Sequence, residues 1–246
     1  MPPVAPPWPS RARTPQTGES FPALYCEPVT SRQARVRHRL SELRHLPDTP
    51  RHLWPVVATR GLVSRAEAQL LYNLARKVDT GAIVEVGSFR GRSTVALAFG
   101  SRSGHGAPVY AVEPHEQFQQ HPKAPQFGPK DRAAFFRTML RTRCYRDVRL
   151  VNLSSEEVCP GWSRPVALLW IDGDHSPAGV RRDLHCWWPH LDDGAVVAFD
   201  DSVDPDDGPG LVITEEIEAG RLARETSVGK VAVLRVTKRH SPPATG

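Results

Sequence analysis

The sequence predicts a doubly wound α/β domain, a mostly parallel sheet with helices on both faces, preceded by an N-terminal helical extension. Three observations predict it. From residue 82 to residue 236, short apolar runs alternate with stretches whose apolar residues recur at helical spacing, and parallel strands need such crossover helices. One run, Val166-Ala167-Leu168-Leu169-Trp170-Ile171, is apolar throughout, as a central strand covered on both faces must be. A chain of 246 residues that is 39% hydrophobic can bury the core of one such domain and still carry an extension.

The elements follow in order. Residues 1–28 are Pro-rich and without periodicity, which predicts a disordered or extended tail. Residues 29–60 hold a basic amphipathic helix and a connector. Val36, Leu40 and Leu43 share one helical face, and the basic residues around them carry much of the formal +5 charge. A solvated basic face packed on the domain or on a second subunit, as in a homodimer, explains this segment better than nucleic acid does. Residues 61–240 form the main domain. Ser64 with Glu67 reads as a capping box, followed by an apolar stripe of Ala68, Leu71, Leu74 and Ala75 and a stop at Asp79-Thr80-Gly81. Strands are expected at 82–86, 109–112, 148–152, 166–171, 195–199 and 231–236. Helices are expected at 93–99, 131–142, 179–188 and 211–223, the second with Phe135, Met139 and Leu140 as its apolar side. The aperiodic segment 115–130 is long enough to act as a lid.

Composition excludes several classes. No apolar run approaches the ~20 residues of a membrane span, and the N-terminus lacks the apolar core of a signal peptide. A cytoplasmic location is expected. Cys26, Cys144, Cys159 and Cys186 form no CxxC pair, so free thiols are expected rather than zinc ligands.

The first strand runs into Glu85-Val86-Gly87-Ser88-Phe89-Arg90-Gly91-Arg92-Ser93-Thr94. Gly87 and Gly91 bracket a tight strand-to-helix turn, where glycine lets backbone approach a ligand. The helix N-terminus behind it offers free N–H groups to a carboxylate. The second strand ends at Glu113, and an acid there can accept both ribose hydroxyls of a nucleoside. The loop lacks GxGxxG, which counts against a dinucleotide cofactor and an oxidoreductase. The pattern E-x-G-x-x-x-G-x-S, with an acid closing strand two, resembles the class I S-adenosylmethionine (SAM)-dependent methyltransferases, which have a Rossmann-like sheet. The resemblance implies that Glu85, Gly87, Phe89, Gly91 and Ser93 surround the methionine part of SAM, that Glu113 holds its ribose, and that Ser154 and Ser155 lie at its adenine.

Two later strands open into Asp172-Gly173-Asp174-His175 and Asp200-Asp201-Ser202. Parallel strands bind ligands at their carboxyl ends, so these acids converge. Their mutual repulsion would be relieved by a divalent cation, Mg²⁺ before Ca²⁺ or Mn²⁺ for oxygen ligands. The competing reading is structural: Asp174 could cap the helix near Ser176, and Asp201 could satisfy loop amides. The pattern is similar to the metal-dependent O-methyltransferases acting on catechols and natural-product sugars. That resemblance, which spans about residues 62–236, implies Asp172, Asp200 and Asp201 as Mg²⁺ ligands, with Asp172 also bordering SAM. It implies His175 as the base that takes a proton from a small-molecule hydroxyl. A base-methylating enzyme would carry an Asn/Asp-Pro-Pro-aromatic motif after strand four, and Asp172-Gly173-Asp174-His175 stands there instead. A protein acceptor, or a SAM-fold metal protein without methyl transfer, remains as an alternative.

Overall fold

The structure, a computed structural model, describes residues 50–117, 126–206 and 208–237. The expected tail, the basic helix with Val36, Leu40 and Leu43, and Cys26 lie outside the described residues, as do residues 118–125 of the expected lid. A short 3₁₀ turn leads into α1 (Trp54–Val57), and α2 (Arg65–Lys77) follows. Then come β1 (Ala82–Val86), α3 (Arg92–Ser103), β2 (Val109–Val112), α4 (Pro129–Thr142), β3 (Val148–Val151) and α5 (Ser155–Val158). The chain continues with β4 (Val166–Ile171), α6 (Pro177–Trp187), β5 (Leu191–Phe199), α7 (Gly208–Glu218), β6 (Leu222–Val228) and β7 (Val231–Val236).

The strands form one seven-stranded sheet in the order β3-β2-β1-β4-β5-β7-β6. Strands β1 to β5 are mutually parallel, and β7 runs antiparallel to both β5 and β6. Side chains alternate across a strand, so β4 feeds both faces. Leu168 and Trp170 pack with Leu71, Leu97 and Phe135 on one side. Leu169 and Ile171 pack with Leu184, Trp187 and Ile213 on the other. This two-sided burial is why β4 has no polar position. The strand order reverses direction at β1 and β4, and the crevice at their carboxyl ends is where open α/β sheets bind ligands.

The capping box forms as its sequence predicts. Ser64 Oγ accepts from the Glu67 N–H, and Glu67 Oε2 accepts from the Ser64 N–H at 2.6 Å. Three expectations need correction. The helix expected over 211–223 occupies Gly208–Glu218 instead. Gly220, at φ +65°, ends it, and the following residues form β6. Only Leu222 of β6 is buried, so this edge strand shows no alternating pattern to read. Leu140 faces solvent, although Phe135 and Met139 are buried; the buried stripe of α4 follows the i, i+4 spacing of those two residues. Asp174 does not cap α6: Ser176 does, accepting from the Gly179 N–H at 3.1 Å, while Asp174 accepts from the Ser176 N–H.

Candidate functional site

The glycine turn after β1 is bound to the neighbouring strand ends. Gly87, at φ +86°, lies so close to the Asp172 carbonyl that a Cβ would overlap it. Gly91, also at φ +86°, faces the side chains of Phe135 and Met139. Close approach is therefore required at both positions, but to the protein's own β4 and α4. Between them Phe89 adopts φ +46°, a strained value for a large side chain. Its backbone is held at both ends. Its N–H donates to Glu113 Oε2 at 3.1 Å, and its carbonyl accepts from His115 Nε2 at 2.9 Å. A carbonyl only accepts, so His115 carries its proton on Nε2. The His115 N–H donates to Glu113 Oε1 at 2.9 Å, and the Asn152 side-chain amide bridges the carbonyls of Glu113 and Pro114. Glu113 thus accepts one N–H on each oxygen and keeps lone pairs on both for further donors.

Glu85 is fully buried in β1. Thr94 Oγ1 donates to Glu85 Oε2 at 2.5 Å, and Glu85 Oε1 has no hydrogen-bond partner among the described residues. Burial, opposed by hydrogen bonds from Ser93 and Thr94, pushes the carboxyl up to about 8. Ser93 is buried beside it, on the first turn of α3. At the end of β3 the two serines have internal partners. Ser154 caps α5 by accepting from the Glu157 N–H, and Ser155 Oγ accepts from the Trp187 indole at 3.1 Å.

The carboxyl ends of β4 and β5 bring the acids together. Asp172, His175 and Asp200 each offer one ligand atom, and these atoms lie within 4.8 Å of one another. His175 Nε2 lies 3.3 Å from Asp172 Oδ1, and its Nδ1 lies 2.8 Å from Asp201 Oδ2. Burial works against charge on this imidazole. The hydrogen bonds and charges of Asp172 and Asp201 outweigh it and push His175 up to about 10. Asp201, at φ +44°, is held well below the usual carboxylate range: burial opposes this, but His175 and Lys230 overcome it. Asp201 thus contacts His175 at Nδ1 as Asp172 does at Nε2, and it falls outside the three-residue grouping of Asp172, His175 and Asp200. Burial and the nearby Asp172 push Asp200 well above its ordinary value. One oxygen of Asp200, Oδ1, is buried without a hydrogen-bond partner among the described residues.

Sequence reasoning missed Lys230. It sits in the β6–β7 turn, and its Nζ lies 2.6 Å from Asp200 Oδ2 and 2.9 Å from Asp201 Oδ1. A lone lysine ahead of an apolar strand carries no signal until β6 is known to precede it. His115 and Asn152 were missed for a similar reason, because their function is to bridge loops. Beside the acids, a cavity of about 300 Å³ is lined by Ser202, Val203, Pro205, Gly210, Arg224, Ser227 and Gly229. It adjoins them through the chain, since Ser202 follows Asp201 and Gly229 precedes Lys230.

The donor set fits a divalent cation. Asp172 and Asp200 converge beside His175, and Asp200 Oδ1 is buried without a hydrogen-bond partner among the described residues. The glycine turn fits a nucleoside cofactor with a carboxylate tail through Glu113, the unpartnered Glu85 Oε1 and the N-terminus of α3.

Comparison with known proteins bears on this geometry. Residues 84–202 match a family model described as a methyltransferase domain; the match begins in β1 and ends just past Asp201. Several solved structures share the fold. A calicheamicin methyltransferase matches at TM-score 0.59 and 15% identity, covering 89% of this chain and 99% of its own. An O-methyltransferase from Bacillus cereus in complex with SAH matches at TM-score 0.56 and 17% identity, over 85% of this chain and 93% of its own. The O-methyltransferase TomG from Streptomyces achromogenes, involved in tomaymycin synthesis and in complex with SAM, matches at TM-score 0.53 and 19% identity, over 82% and 89%. At these identities the likeness shows the fold.

Proposed function

From the match of residues 84–202 to a family model described as a methyltransferase domain, we propose an enzyme that moves the methyl group of SAM to a hydroxyl of a small molecule of natural-product or sugar type, with the help of Mg²⁺. The observation that carries the reading is the convergence of Asp172, His175 and Asp200 immediately against the Gly87 turn, whose backbone touches Asp172. One strand end thus borders both the cofactor turn and the proton-handling side chains.

When bound, SAM would supply an electrophilic methyl on a sulfonium, and Mg²⁺, which Asp172 and Asp200 would hold, would supply Lewis acidity. The protein's own groups do the rest. Glu113 accepts the ribose hydroxyls, and the Gly87–Gly91 turn positions the amino-acid end. The cavity lined by Ser202 and Gly229 admits the acceptor, and its size suits a small molecule. His175 takes the acceptor's proton on Nε2, while Asp201 at Nδ1 fixes the ring. Without a cation, Asp172 and Asp201 hold the proton on His175. Neutralising Asp172 lowers that hold, so this residue works as a base only when the acids are compensated. Much of the rate acceleration is positional, since methyl transfer needs alignment more than acid.

The test is a methyl-transfer assay with labelled SAM and a panel of sugar and phenol hydroxyls, run with Mg²⁺ and with EDTA. Turnover in Mg²⁺ is expected, with loss in EDTA. His175→Ala is expected to lower kcat by about 10²-fold or more and to leave SAM affinity unchanged. Methylation that is equal in EDTA and in the variant would overturn this use of the acids.

A further inference from the structure

Every polar group of Lys230 has a partner. Its N–H donates to Glu67 Oε1 at 3.1 Å, and its carbonyl accepts from the Ser202 N–H and from Ser202 Oγ, both at 2.9 Å. Its ammonium lies on Asp200 and Asp201. Glu67 is buried, and its other oxygen caps α2, so the backbone of the lysine is anchored on the first turn of that helix. Gly229, at φ +59°, leaves no room for a Cβ against the Glu67 carboxylate, which brings this turn directly onto its anchor. An ammonium fixed this thoroughly is a built part of the acidic cluster.

We infer that Lys230 is a resident counter-cation of the Asp200–Asp201 pair and restrains how tightly the site takes a divalent metal. The inference rests on the metal reading given above. Three carboxylates, Asp172, Asp200 and Asp201, face two side chains able to carry positive charge, His175 and Lys230. An incoming dication must either displace the ammonium from Asp200 or share that carboxylate with it. Both arrangements place like charges within a few ångströms in a partly buried setting, which weakens metal binding. The lysine also spares Asp200 from lying buried and unpaired when no metal is present.

The test uses the full chain and Mn²⁺ as the probe, with free Mn²⁺ followed by electron paramagnetic resonance. Lys230→Met and Lys230→Gln are expected to bind Mn²⁺ at least about tenfold more tightly than wild type. Lys230→Arg, which keeps the charge, is expected to stay near wild type. Adding Asp200→Asn to Lys230→Met is expected to remove the gain. The neutral variants are also expected to melt lower than wild type in EDTA and to recover in Mn²⁺, because the metal replaces the lost cation. Equal or weaker Mn²⁺ binding by both neutral variants, with binding by wild type, would overturn the inference and leave the metal reading standing. No Mn²⁺ binding by wild type or any variant would overturn both. If the neutral variants unfold in EDTA, Mn²⁺ is expected to restore the fold, and failure to do so would overturn the inference.

Discussion

A carboxyl with no exposure to solvent is costly when charged, and Glu85 has none. Its value of about 8 lies above the ordinary 4.5. Between those pH values the folded chain holds a proton that the unfolded chain has lost. The stability contributed by this group is therefore full below pH about 4.5 and is lost as pH rises through about 8. Glu85→Gln removes the charge without changing the shape. In the absence of SAM it is expected to melt with wild type near pH 5. Near pH 9 it is expected to be more stable by on the order of 2–4 kcal/mol, or about 5–10 °C. Parallel melting curves across that range would contradict the burial of an ionisable acid in β1. At this scale the sequence was informative where a residue follows an apolar run. Asp172 and Asp200 stand directly after the last residues of β4 and β5, so the strand pattern alone carries them to the ligand-binding edge. Lys230, His115 and Asn152 reach the site from turns and loops, and their side-chain partners lie 26 to 39 positions away, for Lys230 across a hairpin with no readable strand.

At the scale of elements, the start of α2 does two jobs. The Glu67 carboxylate caps the helix through the Ser64 N–H and holds the β6–β7 turn through the Lys230 N–H. The capping half of this was legible, because Ser-x-x-Glu before an apolar stripe is a local signal. The second half was not, because a contact over 163 positions leaves no local trace. The two jobs are separable. Ser64→Ala removes only the cap and is expected to cost about 1 kcal/mol. Glu67→Ala also strands the Lys230 N–H and is expected to cost about 2–3 kcal/mol, lowering Tm by roughly 5–10 °C. Equal costs, measured by thermal unfolding of both variants, would show that the turn does not depend on Glu67. The edge strand β6 illustrates the same limit. Its exposed residues Ala223, Arg224, Glu225, Thr226 and Ser227 satisfy backbone pairing on one side only, so neither face imposes an apolar period.

At the scale of the whole molecule, the doubly wound sheet was legible because burial on both faces forces β4 to be apolar throughout, and because crossovers force helices between parallel strands. The antiparallel β7 was legible as a strand, but not in its direction, which depends on the unseen β6. The topology places the glycine turn and the acid cluster along one edge, on either side of the Gly87–Asp172 contact, and the proposed function depends on that adjacency. Among the described residues no helix is long and apolar enough to cross a membrane. A SAM site at the carboxyl edge of β1 and β2 is checked by calorimetric titration of SAM into the protein, alongside Glu113→Ala. Wild type is expected to show one micromolar site per chain, present in both Mg²⁺ and EDTA and weakened by about tenfold or more in the variant, as loss of a charged hydrogen-bond partner requires. No heat of SAM binding in wild type under either condition, or undiminished affinity in Glu113→Ala, would contradict it.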